Sequence, residues 1–378
     1  MPDVRGRLES VNSQQAHGDE CTGKDEALRY KLLGASGMRV SELSLGALTF
    51  GEDGGWGTSK KRSHHIFDAY VAAGGNFIDV ANMYGDGTSE KYIGEFIEDR
   101  DAFVIATKYS LNSYPGSPNT RAHDPNSGGN HRKSMVQSLE ASLRRLGTDY
   151  VDLFWLHFWD STTPIEEVMR ALNDLVRSGK VLHIGISNSP AWVVSEANAI
   201  AQLRGWNPFV ALQVHYSLVE RSSERELLPM ARAHDIAVVP WGVLGGGVLS
   251  GKYTSITSEG RLSLDWWRES FLTEHNVEVA REVQAVADEI GRTPAQVATN
   301  WVRQQPGVVI PIVGVTKTAQ LQETLACLEF ELSDEHLTRL DKVSTIELGY
   351  PHDLLSDPYS LRLIHGEHAA DIDNHHTP

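Results

Sequence analysis

From residue 43 to residue 313 the chain repeats one phrase: a short apolar run closes in polar or glycine residues, an amphipathic helical pattern follows, and another apolar run begins. The candidate strands are Leu43–Leu45, Asn76–Asp79, Phe103–Thr107, Val151–Leu156, His183–Ser187, Ala211–Val214, Ala237–Val239 and Val309–Val313. Several, such as "VDLFWL" at 151–156 with its single Asp152, read as near-continuous apolar runs, as strands covered on both faces do. Eight strands alternating with helices predict a (β/α)8 barrel rather than a doubly wound sheet, because the alternation never breaks into halves.

The helices carry their own punctuation. Thr163-Pro164 followed by Glu166 predicts an N-cap, a proline at the first helical position and a capping-box acid. Ile165, Val168, Met169, Leu172 and Leu175 then share one face, and Gly179 ends the run. A second helix from about His131 turns Met135, Leu139, Leu143 and Leu146 inward and stops at Gly147. Ser189-Pro190 opens a third. Upstream, Leu32-Leu33, a glycine-rich turn and Val40 predict an N-terminal hairpin.

The expected organisation is a polar, mobile extension at 1–27, a barrel at 28–345, and a C-terminal extension at 346–378 with one short helix, Leu354–Ile364, and a His-rich end. Long loops at 110–130 and 254–276 follow strands, so a barrel places both on its catalytic face.

Composition narrows the function. A net charge of −16 argues against nucleic acid or an anionic membrane as partner. Two cysteines, Cys21 and Cys327, form no disulfide framework, and reduced thiols in a cytoplasmic protein are expected. The first 20 residues hold no apolar core of a secretory signal, and no apolar stretch approaches the ~18 residues of a membrane helix. Although the chain has 16 histidines, it contains no H-E-x-x-H and no cysteine pair at ligand spacing. His64-His65 fall in a predicted surface helix and His365, His368, His375 and His376 in the tail, so no metal is expected.

The ionisable groups at the strand ends point to chemistry. The second strand ends in Asp79, with Tyr84 on the loop beyond it; Lys108 follows the third strand and His157 the fourth. A barrel gathers these ends on one face. A carboxylate can hold the ammonium, and an ammonium beside a phenol lowers its pKa from about 10. With an imidazole donating to the substrate oxygen, the set can protonate a developing alkoxide.

These segments resemble the aldo-keto reductase family. "FIDVANMYGDGTSE", "IATKYS" and "LFWLHFWD" are similar to its tetrad segments in order and spacing, and "GISNSPAW", "LQVHYSLVER" and "VVPWGVLGGGVLSGKY" to its later motifs. The resemblance covers about residues 28–345 and implies reduction of an aldehyde or ketone with NADPH, with Asp79, Tyr84, Lys108 and His157 as catalytic tetrad and Tyr84 as general acid. It places Gly46, Ala47 and Leu48 of "SLGALTFG" near the nicotinamide, with Asp79 beside them. It puts Ser187, Asn188 and Gln213 on the carboxamide, and Trp241 under the nicotinamide ring.

The glycine-rich stretch brings Gly242, Val243, Leu244, Gly246 and Lys252 toward the phosphates, with Gly242 standing where the family usually has Ser. Gly246 to Lys252 also fit G-x-x-x-x-G-K, but Tyr253 replaces the Ser or Thr that would hold magnesium, which argues against a nucleotidase P-loop. "VGVTKTAQLQETLACL" places Gly314, Thr316, Lys317, Gln320, Glu323 and Thr324 at the adenosine phosphate. Gln320 and Thr324 depart from the family's usual Arg and Asn, so the expected preference for NADPH over NADH is not strict.

Two other readings compete. Potassium-channel β subunits resemble this family and retain the tetrad, so the chain could be a cofactor-binding regulatory subunit, although residues 1–27 show no basic or apolar plug. An alcohol or sugar dehydrogenase working in the oxidative direction would use the same residues. The expected partner is a small carbonyl compound. Trp56, Phe158, Trp159, Trp192, Trp266 and Trp267 are candidates to wall its pocket.

Overall fold

The computed structural model describes residues 28–53, 57–112, 124–252 and 271–373. The sequence expectations on the leader with Cys21, on most of both long loops, on Trp56, Trp266 and Trp267, and on His375 and His376 lie outside the described residues.

A hairpin of β1 (Tyr30–Leu32) and β2 (Arg39–Ser41) precedes eight parallel strands. These are β3 (Ser44–Gly46), β4 (Phe77–Asp79), β5 (Val104–Tyr109), β6 (Val151–Leu156), β7 (Val181–Ser187), β8 (Phe209–His215), β9 (Ala237–Trp241) and β10 (Ile312–Gly314). They run β10-β3-β4-β5-β6-β7-β8-β9. A bridge between Val238 and Val309 joins the two ends, so the sheet closes into the expected barrel.

Helices alternate with the strands: α1 (Lys60–Ala72), α2 (Thr88–Phe96), α3 (Arg132–Leu146), α4 (Ile165–Arg177), α5 (Ala191–Arg204) and α6 (Leu227–Ala233). After β9 come α7 (Glu274–Ile290) and α8 (Pro294–Arg303), and after β10 come α9 (Thr318–Leu325) and α10 (Asp334–Val343).

Side-chain alternation along each strand divides the core in two. One set faces the helices, including Ile78, Ile105, Phe154, Ile184, Leu212 and Val238. The other fills the barrel: Phe77, Val104, Ala106, Leu153, Trp155, Ala211, Ala237 and Val239. The hairpin contributes Leu33 and Val40 to that inner cluster and plugs the N-terminal end. Gly34 makes the plug fit, for a Cβ there would stand 2.2 Å from the Val210 carbonyl oxygen.

Helix α3 matches its sequence pattern, with Met135, Leu139, Leu143 and Leu146 buried and Gly147 left-handed after it. Helix α4 buries Val168, Met169, Leu172 and Leu175, but its start differs from expectation. Pro164 is the N-cap, with no side-chain cap bond, and Thr163 Oγ1 instead donates to Asp160 at 2.8 Å. Asp160 outcompetes the cap because it also accepts the backbone N–H groups of Asn130, Thr162 and Thr163, which hold its pKa down at about 2 against the opposing effect of burial.

The C-terminal segment expected as one helix is two, α11 (His352–Ser356) and α12 (Pro358–His365). Pro358 has no N–H to continue the first, and Asp357 caps the second through Ser360 N–H. No helix among the described residues is long and apolar enough to cross a membrane.

Candidate active site

The period of two delivers the chemistry. Along β4, Phe77 points into the barrel, so Asp79 does too; along β5, Val104 and Ala106 set the parity of Lys108. Leu153 and Trp155 lead in the same way to His157, Ala211 to Gln213, and Ala237 and Val239 to Trp241. Each stands at or next to the C-terminal end of its strand, on the barrel face where the cleft opens; on β8, His215 follows Gln213 at the same parity.

There the buried Lys108 ammonium spends its three N–H donors on Asp79 Oδ2 at 2.5 Å, the Val80 carbonyl at 2.9 Å and Tyr84 Oη at 3.1 Å. The other Asp79 oxygen accepts from Gln213 Nε2 at 2.9 Å. Tyr84 and His157 face each other edge to plane at 6.1 Å. The four residues singled out in sequence therefore lie together.

Their electrostatics correct one expectation. The Tyr84 pKa is raised, not lowered: burial opposes the phenolate, and the Asp79 carboxylate counteracts the pull of Lys108. Burial also works against the Lys108 charge, but Asp79 and Tyr84 more than restore it, and its pKa rises. Burial first, and then Lys108, hold His157 well below the ordinary imidazole value, so its ring is neutral. The cluster consists of an ammonium–carboxylate pair, a protonated phenol and a neutral imidazole.

Above the cluster opens a cleft of about 320 Å³. Gly46, Leu48, Asp79, Tyr84, His157, Asn188, Gln213, Trp241 and Gly314, all singled out in sequence, line it. Phe158 is in the wall as expected, while Thr49, Met83, Leu111 and Ile312 join it without having been foreseen. Leu111 and Met83 sit on loops just past strands, a position that could have flagged them. Trp192 is exposed and outside the lining, and Trp159 packs against the helix-side core.

Asn188 takes a positive φ of 43°, which asparagine tolerates, and its side-chain amide donates to the His157 carbonyl at 2.9 Å. Ser187 is fully buried beside it, and Ala47 is buried with its N–H on the Asp79 carbonyl.

Apart from Gly314, the residues expected at the phosphates lie away from this lining. Residues Gly245–Ser250 form a tight turn in which the N–H groups of Gly245 and Gly247 already bond to the Gly242 and Leu244 carbonyls. Val243 is buried, Gly246 has positive φ, and Lys252 is exposed. Lys317 is the exposed N-cap of α9, where Gln320 Oε1 already accepts the Thr316 N–H and hydroxyl. Thr324 is buried, with its hydroxyl on the Gln320 carbonyl, while Glu323 is exposed. Among the described residues no group of three or more His, Cys, Asp or Glu is placed to hold a metal.

A parallel barrel whose rim buries an ammonium between a carboxylate and a phenol, below a mostly apolar cleft, defines a carbonyl–alcohol oxidoreductase. The chain belongs to the aldo/keto reductase family, whose model matches residues 42–345. It is 38% identical to the aryl-alcohol dehydrogenase [NADP(+)] of Phanerodontia chrysosporium, over 87% of this chain and 89% of that protein. It is 40% identical to norsolorinic acid reductase B of Aspergillus parasiticus, over 87% of each chain. With norsolorinic acid reductase of Aspergillus flavus it shares 36% identity, over 86% of this chain and 83% of that one.

Proposed function

We propose that this enzyme reduces an aryl aldehyde or aryl ketone with NADPH, Tyr84 serving as general acid. The observation that carries the reading is the position of the Tyr84 hydroxyl. It lies at the cleft wall, 3.1 Å from an ammonium that Asp79 neutralises. A phenol with a raised pKa holds its proton until a carbonyl oxygen gains charge, which is what reduction asks of an acid. Lys108 and the neutral His157 flank the place where that oxygen becomes negative and stabilise it there.

The residues present fit a nicotinamide cofactor. Trp241 offers an aromatic face to the cleft, Asn188 and Gln213 supply amide donors and acceptors, and Lys317 at the start of α9 suits an anion. When bound, NADPH would supply the hydride. Leu48, Met83, Leu111, Phe158 and Ile312 make most of the remaining wall apolar, which suits a flat aromatic substrate, as does the name of the Phanerodontia chrysosporium relative. The volume lies near the lower end of the ~300–1,000 Å³ of small-molecule sites, enough for two rings side by side. A cytoplasmic enzyme is the setting consistent with NADPH.

The test is kcat/KM for NADPH oxidation over benzaldehydes, aryl ketones and aliphatic aldehydes of equal carbon number. Aryl substrates should lead by about tenfold or more, the scale of burying one extra ring face. Equal rates across the classes would remove the aryl assignment. Cofactor binding without turnover of any carbonyl would favour the regulatory reading instead.

A further inference from the structure

Trp241 rests on another ring. His215 ends β8 beside Trp241 in register, and its imidazole stacks on the indole at 4.2 Å, 9° from parallel. Phe271 meets the same imidazole at 5.7 Å and 69°. His215 Nε2 is buried and has no hydrogen-bond partner among the described residues. A histidine kept for its hydrogen bonds would engage that nitrogen; this one is held by its faces. Burial lowers its pKa against the pull of Glu220, so the ring behind the indole is neutral.

The residue after Trp241 explains how the imidazole fits. Gly242 has φ of 71°, and a Cβ built on it would lie 2.6 Å from His215 Cδ2 and 2.7 Å from Nε2. Carbon atoms settle at about 3.5–4.0 Å, so any side chain at 242 must displace the imidazole. The position where the family's usual Ser is replaced thus has a steric partner on the neighbouring strand.

We propose that His215 is a positioning residue for the cofactor: it backs the Trp241 indole and fixes the plane on which the nicotinamide stacks, and residue 242 is glycine to leave room for it. This rests on the nicotinamide site proposed above. An indole held on one face has less freedom to lose when a ring settles on the other, so binding costs less ordering.

The experiment titrates NADPH and NADP+ into the full-length protein and its variants, reading Kd from tryptophan quenching and the apoprotein's near-UV circular dichroism. His215→Ala should raise both Kd values about 3- to 10-fold, the scale of one aromatic contact. His215→Phe should recover to within about twofold, since a flat ring without Nε2 can still back the indole. The near-UV signal should weaken in the alanine variant and return in the phenylalanine one. Gly242→Ser should weaken binding by about as much as His215→Ala, and His215→Ala added to Gly242→Ser should cost little more, because the side chain at 242 then enters vacated space.

Unchanged Kd in His215→Ala would overturn the proposal. So would recovery by His215→Asn but not by His215→Phe, which would assign the role to a nitrogen. Simple additivity in the double variant would overturn the pairing with Gly242. Trp241→Ala separates the two readings. If it leaves Kd unchanged, the nicotinamide site and this inference fall together; if it weakens binding while His215→Ala does not, this inference alone fails.

Discussion

At the end of the cleft built by β4, β5 and β8, polar atoms are already joined to one another. Asp79 holds Lys108 and Gln213, and Lys108 holds Tyr84. Beyond the lining, at the start of α9, the Lys317 side chain stands exposed, and the Gln320 side chain is occupied with the Thr316 N–H and hydroxyl. The first region is assembled before any ligand arrives; the second is completed by whatever it binds. Buried charge pairs are costly to leave half made, whereas an exposed ammonium is screened and contributes little until an anion approaches. Substitutions should therefore grade steeply from one end to the other.

The largest effect is expected at Lys108. Lys108→Met leaves Asp79 as an unpaired buried carboxylate and should cost roughly 3–5 kcal/mol of stability, as well as activity. Urea denaturation of both proteins measures it. Lys317→Ala in the same assay should move stability by less than ~0.5 kcal/mol. Equal losses at the two lysines would break the contrast outright.

Next comes Tyr84→Phe, which removes one hydroxyl and keeps the ring. Its kcat should fall at least about 10²-fold while cofactor Kd stays put. Near-normal turnover would take proton donation away from Tyr84.

At the open end the effect is one of choice rather than of rate. Lys317→Ala should reduce the ratio of kcat/KM with NADPH to that with NADH by about tenfold, near 1.4 kcal/mol, through weaker NADPH use alone. A lysine grips a phosphate as a point charge, without the fork of an arginine, which keeps the expected figure modest. An unshifted ratio would place the 2′-phosphate elsewhere.

The smallest effect is a flat line. His157 is already neutral and Tyr84 titrates above its ordinary value, so reductive kcat should be level between about pH 6 and 8. A limb near the usual imidazole pKa that disappears in His157→Gln would show a histidine carrying charge in the assembled site.

The same contrast governs what could be read in the chain. Asp79, Lys108 and His157 follow apolar runs whose alternation fixes the direction of each side chain, so their meeting is written in local pattern. The Tyr84 pKa was not legible in direction, because burial, which opposes the phenolate most, and the part of the Lys108 pull that Asp79 offsets both exist only in the folded site. The Thr163 cap failed for a related reason: Asp160, three residues upstream, competes for the same hydroxyl, and only the folded loop decides. Leu354–Ile364 has an amphipathic pattern, but its internal Pro358 was the signal that should have divided it. His215 and Gly242 are ordinary apart; their reciprocity exists only once β8 and β9 lie side by side.

Closure of the barrel through β3 and β10 sets an order on synthesis. Ser44–Gly46 pairs with Ile312–Gly314, and the Lys31 ammonium reaches the Val309 carbonyl at 2.7 Å. A ribosome delivers the first of these partners long before the second. Throughout that interval the nascent sheet keeps an open edge at β3, a template for wrong pairing that only late residues can cover. Contacts so distant along the chain form slowly, which exposes the growing molecule to aggregation and makes a folding chaperone useful. A ribosome stalled before residue 309 would already have made Asp79, Lys108, His157 and Trp241, yet the barrel wall that Ile312 and Gly314 add to their cleft would be missing. A chain cut short there carries the acid, the amine and the imidazole without the closed vessel that brings them to one cleft.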